Sequence, residues 1–322
     1  MKASNLFSLV LPTFNVERYV ERCLRSLQNQ TFKDFEMIFV DDCGEDSSIE
    51  IISSYAEDDE RIRIISNEQN MGTYHARRVG VEQAKGEYII FIDPDDQLDS
   101  QFLGVLAEQV TNHSPEIIFY DHARLPKRRW FQSQYRLLPF DATKPVSEGV
   151  FKKKGRGFTH ITLGTPGKAY RKSIIQKIYE LLNVDLTFRY IFSEDTLLLL
   201  TGVLQNPTYK VLPFKGYLYH DNPTSATSDE QMKARAVLMA DQLTYTANVL
   251  QTIVEQSDLS EQAQRAFMFY LQKDIPSQIN FILRFEKGEY FKRMKRSVQA
   301  VPGLRNCIRI GLYLVSFGKI QK

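Results

Sequence analysis

The sequence predicts an α/β protein with a mainly parallel central sheet. Over the first hundred residues, short apolar runs alternate with stretches of helical periodicity, the pattern of repeated βα units. Acidic residues stand at the ends of the apolar runs, where open α/β sheets bind their ligands. A chain of 322 residues, 43% hydrophobic and 25% charged, can bury a core large enough for such a sheet.

The first strand is SLVLP (8–12); the apolar run from Leu6 to Leu11 is too short and too poorly flanked for a signal peptide. Val16, Tyr19, Val20, Cys23, Leu24 and Leu27 recur at helical spacing across residues 16–30. FEMIFVDD (35–42) is the second strand, followed by a helix from about Ser47 with Asp46 as its N-cap. RIRIIS (61–66) gives a third strand, residues 71–85 a third helix, and EYIIFIDPDD (87–96) a fourth, buried strand. Regularity then falls. PEIIFYDHARL reads as another strand, KRRWFQSQYRLL as an exposed strand or hairpin, and KPVSEGVFKKKGRG as a basic loop. Residues 161–182 read as a turn leading into a helix, 193–205 as a helix, and 207–221 as one or two strands. After Thr227 the pattern is helical to the end, with a break at Pro302 and Gly303.

This organisation implies an α/β domain over 1–226, in two halves that meet at about residue 100, then a helical region over 227–322. No stretch approaches the ~20 apolar residues of a membrane helix. Cys23, Cys43 and Cys307 are far apart and without CxxC spacing, which argues against zinc and disulfides and suits a reducing cytoplasm. From Arg284 onward ten Lys and Arg face Glu286 and Glu289, a net +8, so subtraction from the +2 total leaves −6 on the rest. The basic tail is open to several readings: a solvated helix face, packing on the preceding domain, a dimer contact, or contact with an anionic glycan or with anionic lipid at the inner membrane face. Nucleic acid is not the expected partner. No GxGxxG follows the first strand and no GxxxxGK[ST] occurs, which removes nicotinamide dehydrogenases and P-loop ATPases.

LPTFN (11–15), FVDDCGEDSS, NMGTYHARRVG (70–80), IDPDD (92–96) and SED (193–195) stand in the order of the motifs of family 2 glycosyltransferases, and the chain resembles that family over roughly residues 6–225. The resemblance implies the GT-A fold, a nucleotide-sugar donor with UDP favoured, a glycan or lipid-linked glycan acceptor, and Mn²⁺ or Mg²⁺. It implies that Pro12, Thr13, Phe14 and Asn15 meet the nucleotide base, Phe14 by stacking. Asp41 would accept a hydrogen bond from base or ribose, with Asp42 supporting that pocket; alternatively one of the two caps the next helix. Arg77 would reach the nucleotide or a nearby backbone carbonyl, or else form a surface salt bridge. In the DxDD-type signature Asp93 would lie near the ribose, while Asp95 and Asp96 share metal and phosphate.

Asp195 would be the catalytic base, deprotonating an acceptor hydroxyl opposite the departing diphosphate; the competing reading is a helix N-terminus with Ser193 as cap. GTPGKAYRKS (164–173) resembles the family's short acceptor-side segment. In YLYHDNPTSAT (217–227), His220 stands where the family often has Arg, either as a metal ligand or as a buried structural histidine. A catalytically inactive glycan- or nucleotide-binding module and a sugar nucleotidyltransferase are the rival functions.

Overall fold

The computed structural model describes residues 5–125, 145–149, 151–154, 157–160, 163–164, 166–182, 188–222 and 229–282. The expectations for KRRWFQSQYRLL, the last residues of the YLYHDNPTSAT pattern and the basic tail lie outside them.

The chain divides into two compact units, residues 1–150 with 160–222, and residues 151–159 with 223–322. The first is built on an eight-stranded sheet. Strands β1 (Phe7–Thr13), β2 (Phe35–Asp41), β3 (Ile62–Ser66) and β4 (Tyr88–Phe91) alternate with helices α1 (Glu17–Gln28), α2 (Ser48–Ala56) and α3 (Thr73–Gln83). The short β5 (Gln97–Leu98), helix α4 (Phe102–His113), β6 (Ile117–Leu125) and the one-turn helix α5 (Val146–Gly149) follow. After them, β7 (Phe151–Lys154) and β8 (Gly157–His160) pair as a separate two-stranded sheet. The first unit is completed by β9 (Lys168–Arg171), α6 (Lys172–Leu182), α7 (Glu194–Leu204) and β10 (Tyr209–His220).

The strand order is β3-β2-β1-β4-β9-β6-β10-β5. β1 pairs in parallel with β2 and β4, β2 with β3, and β6 with β10; β9 runs antiparallel to both β4 and β6, and β5 antiparallel to β10. The sheet is therefore mixed beyond β4. Nearly every residue of β1, β2 and β4 is buried, as strands covered on both faces require. Val20, Cys23, Leu24 and Leu27 of α1 form the predicted apolar stripe and join the same core.

Two elements depart from the sequence reading. Residues 168–171, taken as a turn before a helix, form the strand at the centre of the sheet; Lys and Arg at the ends of a four-residue strand mask its apolar alternation. The segment KPVSEGVFKKKGRG, read as a basic loop, instead carries α5, β7 and the start of β8, whereas β10 is a single strand, within the one or two expected, with a register shift between Leu212 and Tyr217 against β6.

The second unit contains, beside the β7–β8 pair, α8 (Asp229–Glu255), α9 (Glu261–Phe269), a π-helical turn over Tyr270–Asp274 and α10 (Ile275–Ile282). Ser260 caps α9 by accepting from the Ala263 amide. No described helix is long and apolar enough to cross a membrane.

Candidate active site

The loops that leave β1 and β2 are stitched together by side chains. Asp46 accepts from the Glu17 amide at the start of α1 and from the Ser48 amide and hydroxyl at the start of α2, so one carboxylate caps two helices. Asn15, at φ 52°, accepts the Glu45 amide on its side-chain oxygen. Asp41 turns Oδ1 to the amides of Cys43 (3.0 Å) and Gly44 (3.4 Å). Asp42 is buried and fully engaged: Oδ1 accepts from Asn67 and the Met71 amide, Oδ2 from the Gly72 amide at 2.8 Å. Its contribution is to fasten the end of β2 to the turn that starts α3.

Gly72 makes that turn possible. Its φ is 89°, and a Cβ there would lie 2.8 Å from the Tyr190 carbonyl oxygen. Thr13 is buried, with its hydroxyl donating to the Leu11 carbonyl and its own carbonyl accepting from Asp42. Pro12 lies beside it on β1. Phe14 is different. At 36% exposure it is one of the few open large apolar side chains, and the Arg189 guanidinium lies 5.5 Å from its ring centroid.

Beyond β4 the acidic run turns towards β10. Asp96 is wholly buried; Oδ2 accepts from the Tyr217 hydroxyl at 2.8 Å and Oδ1 from the His220 amide at 2.7 Å. The same Tyr217 oxygen accepts from the Asp93 amide. Asp95 is held by Asn222, which donates to Oδ2 at 2.6 Å, and by Arg22 of α1, which donates to its carbonyl. Burial and the neighbouring Asp93 charge push Asp95 up to about 6, and burial with Asp93 and Asp95 pushes Asp96 up to about 9. Asp95 and Asp96 thus resist ionising beside Asp93.

Such crowding is what a bound cation relieves. Mg²⁺ and Mn²⁺ commonly take one or two carboxylates and complete their shell with phosphate oxygens and water. Asp93 and Asp95 fit that role, each with one oxygen on a protein donor and the other available to a cation. The sequence reading also gave Asp96 and His220 to the metal. The structure places them otherwise: both Asp96 oxygens serve protein donors, and His220 Nε2 lies 2.8 Å from Gln97 Oε1. Among the described residues no cluster of three His, Cys, Asp or Glu forms an all-protein cage.

Arg77 joins this edge to the second acidic motif. It is neither exposed nor in a surface salt bridge: at 3% exposure it donates to Glu194 Oε1 at 2.8 Å and to Asp93 Oδ1 at 3.0 Å. These carboxylates outweigh burial and raise its already high pKa. Burial, against the pull of Arg77, pushes Glu194 up to about 7, with Asp195 adding to the rise. Asp195 opens α7 one residue on and accepts the Thr196 amide on Oδ1. Burial raises it too, while Arg77 and Lys168 hold it down. Ser193 stands at the cap position but makes no side-chain cap bond; its φ of 68° is a left-handed turn that launches the helix.

The sequence reading named Asp93, Asp95, Asp195 and Arg77 but not the other residues that surround them. Glu194 and Lys168 lay inside motifs already marked, and their burial was the unread signal. Tyr217 and Asn222 lay inside the YLYHDNPTSAT pattern and Arg22 in none, but the partners of all three are 73 or more residues away, beyond the reach of local spacing.

The sequence model of "Glycosyl transferase family 2" matches residues 8–179. A similar relative is the uncharacterized glycosyltransferase EpsJ of Bacillus subtilis, 32% identical over 228 residues, which cover 69% of this chain and 63% of EpsJ. Among solved structures, that of Staphylococcus aureus TarS residues 1–349 in complex with UDP matches with a TM-score of 0.66 and 22% identity, covering 92% of this chain and 81% of that one. The mannosyltransferase PcManGT of Pyrobaculum calidifontis, in complex with GDP-Man and Mn²⁺, matches with a TM-score of 0.59 and 11% identity, covering 98% of this chain and 81% of that one. These likenesses establish the GT-A fold. With its motifs gathered along one edge of that sheet and the family match covering more than half its length, the chain belongs to the family 2 glycosyltransferases.

Proposed function

We propose that the protein moves a monosaccharide from a UDP-sugar to a hydroxyl of a glycan acceptor in surface-polysaccharide synthesis, with inversion. The observation that carries this reading is Arg77, whose guanidinium binds Asp93 and also Glu194, 117 residues along the chain from Arg77, so that one buried cation touches both acidic motifs. Phe14 offers an open ring for stacking on the base, and Asp41 keeps Oδ2 available to a base or ribose donor. A divalent cation bound at Asp93 and Asp95 would neutralise charge on the leaving diphosphate. Asp195 takes the acceptor's proton as the hydroxyl attacks from the face opposite that diphosphate. The UDP held by TarS and the Mn²⁺ in the PcManGT complex support the choice of nucleotide and metal.

The test is a panel of UDP-, GDP- and dTDP-sugars with Mn²⁺ and p-nitrophenyl glycosides as acceptors, read as nucleotide release and glycan product. A UDP-sugar should be turned over. Asp195→Asn should lower kcat by about 10²- to 10⁴-fold with UDP affinity nearly unchanged. UDP binding without turnover on any donor would replace this reading with that of a binding module.

A further inference from the structure

β10 reaches the acidic turn through a break in its own regularity. Leu212 pairs with Tyr120 and Tyr217 with His122, so Pro213 to Gly216 stand opposite Asp121 alone. A bulge of this kind re-aims the side chains that follow it. Gly216 lets it lie against α4, since a Cβ there would come within 2.6 Å of the Phe102 ring. Past the bulge, β10 pairs antiparallel with β5, the strand directly after the acidic turn. Tyr217 is thereby set with its ring fully buried in the core and its hydroxyl against residues 93–96.

That hydroxyl is used twice. It donates to Asp96 Oδ2 at 2.8 Å and accepts from the Asp93 amide at 3.2 Å, while the Asp96 amide donates to the Asp93 carbonyl at 2.9 Å. One oxygen atom therefore ties both ends of the turn to the sheet. Three more donors act on the turn: the His220 amide on Asp96 Oδ1, Asn222 on Asp95 Oδ2, and Arg22 of α1 on the Asp95 carbonyl. Asp96 is spent on these anchors. Asp93 and Asp95 are instead held by one side-chain donor each, Arg77 and Asn222. A carboxylate that ligates a metal is oriented by the partners behind it, and losing such a partner commonly weakens metal binding by about 10- to 100-fold.

We propose that Tyr217 and Asn222 are positioning residues for the divalent cation: Tyr217 sets the backbone of the 93–96 turn and Asn222 the Asp95 carboxylate, so that Asp93 and Asp95 meet the ion as a preformed pair. The inference rests on the cation site at Asp93 and Asp95 in the proposed function. Asp96 serves that site as the anchor of the turn, through Tyr217, and not as a ligand.

Wild type, Tyr217→Phe and Asn222→Ala are compared by UDP calorimetry in EDTA and by EPR titration of Mn²⁺ into the protein with UDP bound, corrected for uptake by UDP alone. Tyr217→Phe keeps the buried ring and removes only the bridging oxygen. It should bind UDP in EDTA within about twofold of wild type but Mn²⁺ about 10- to 100-fold more weakly, and Asn222→Ala should weaken Mn²⁺ by about tenfold. A residue that only packs would lower the melting temperature and leave Mn²⁺ affinity alone; that result in Tyr217→Phe overturns the proposal. Should Tyr217→Phe fail to fold, Asn222→Ala decides, and an unchanged Mn²⁺ affinity again overturns it. A wild type that binds UDP but takes up no Mn²⁺ removes the cation of the proposed function and this inference together. Normal uptake by the wild type beside unaffected variants removes this inference alone.

Discussion

Asp42 and Asp46 give their oxygens to backbone amides of adjoining loops, whereas Asp93 and Glu194 give theirs to a guanidinium buried between them. The first arrangement shapes loops and leaves little charge unbalanced, since an amide donor is fixed in place by the chain. The second works only when three segments from different parts of the sequence have arrived together. Around that guanidinium, burial raises Glu194 and Asp195 while Arg77 holds both down.

The contrast is broken most directly by removing the shared cation. Arg77→Met leaves Asp93 and Glu194 without their partner and should cost about 3–5 kcal/mol in urea unfolding, while Asp46→Ala should cost only about 1–2 kcal/mol for its caps. Equal losses would erase the distinction. A smaller effect is expected from Lys168, whose folded value of about 7 lies below its ordinary 10.5. Between those values the unfolded chain binds the extra proton, so stability rises with pH across the window, and the full cost of the buried ammonium is present below it. Compared with Lys168→Met, the wild type should gain up to about a few kcal/mol between pH 7 and pH 10. Parallel denaturation curves at both pH values would show that the ammonium is not buried at such cost. The smallest change belongs to the open ring: Phe14→Ala should weaken UDP binding by about 1 kcal/mol, roughly fivefold in Kd, without altering kcat on a saturating donor. An unchanged Kd by calorimetry would take Phe14 out of the base site.

The same two modes explain what could be read from the chain. Strands β1 to β3 and helices α1 to α3 were legible to within about two residues because each is a periodic run with its own punctuation, whereas β4 ends at Phe91, short of the acidic run read into it. The cap at Asp46 was legible for the same reason, although the second helix it caps was not. β9 was hidden because its pattern is only four residues long and opens on a buried lysine, and α4 (Phe102–His113) passed without a motif to mark it. In the site, acids at strand ends announced themselves by their number. The roles of Arg77 and Tyr217 did not, because a residue's partner 117 or 121 positions away leaves no trace in local spacing.

The placement of β9 has a consequence for how the chain is made. β1 to β4 can assemble from the first 91 residues, but the free side of β4 is closed only by residues 168–171, which must also pair with β6. During synthesis the nascent chain therefore carries an exposed apolar edge for some eighty residues, a template for wrong partners until β9 emerges. The last strand but one to be made thus closes the long side of a sheet begun by the first four.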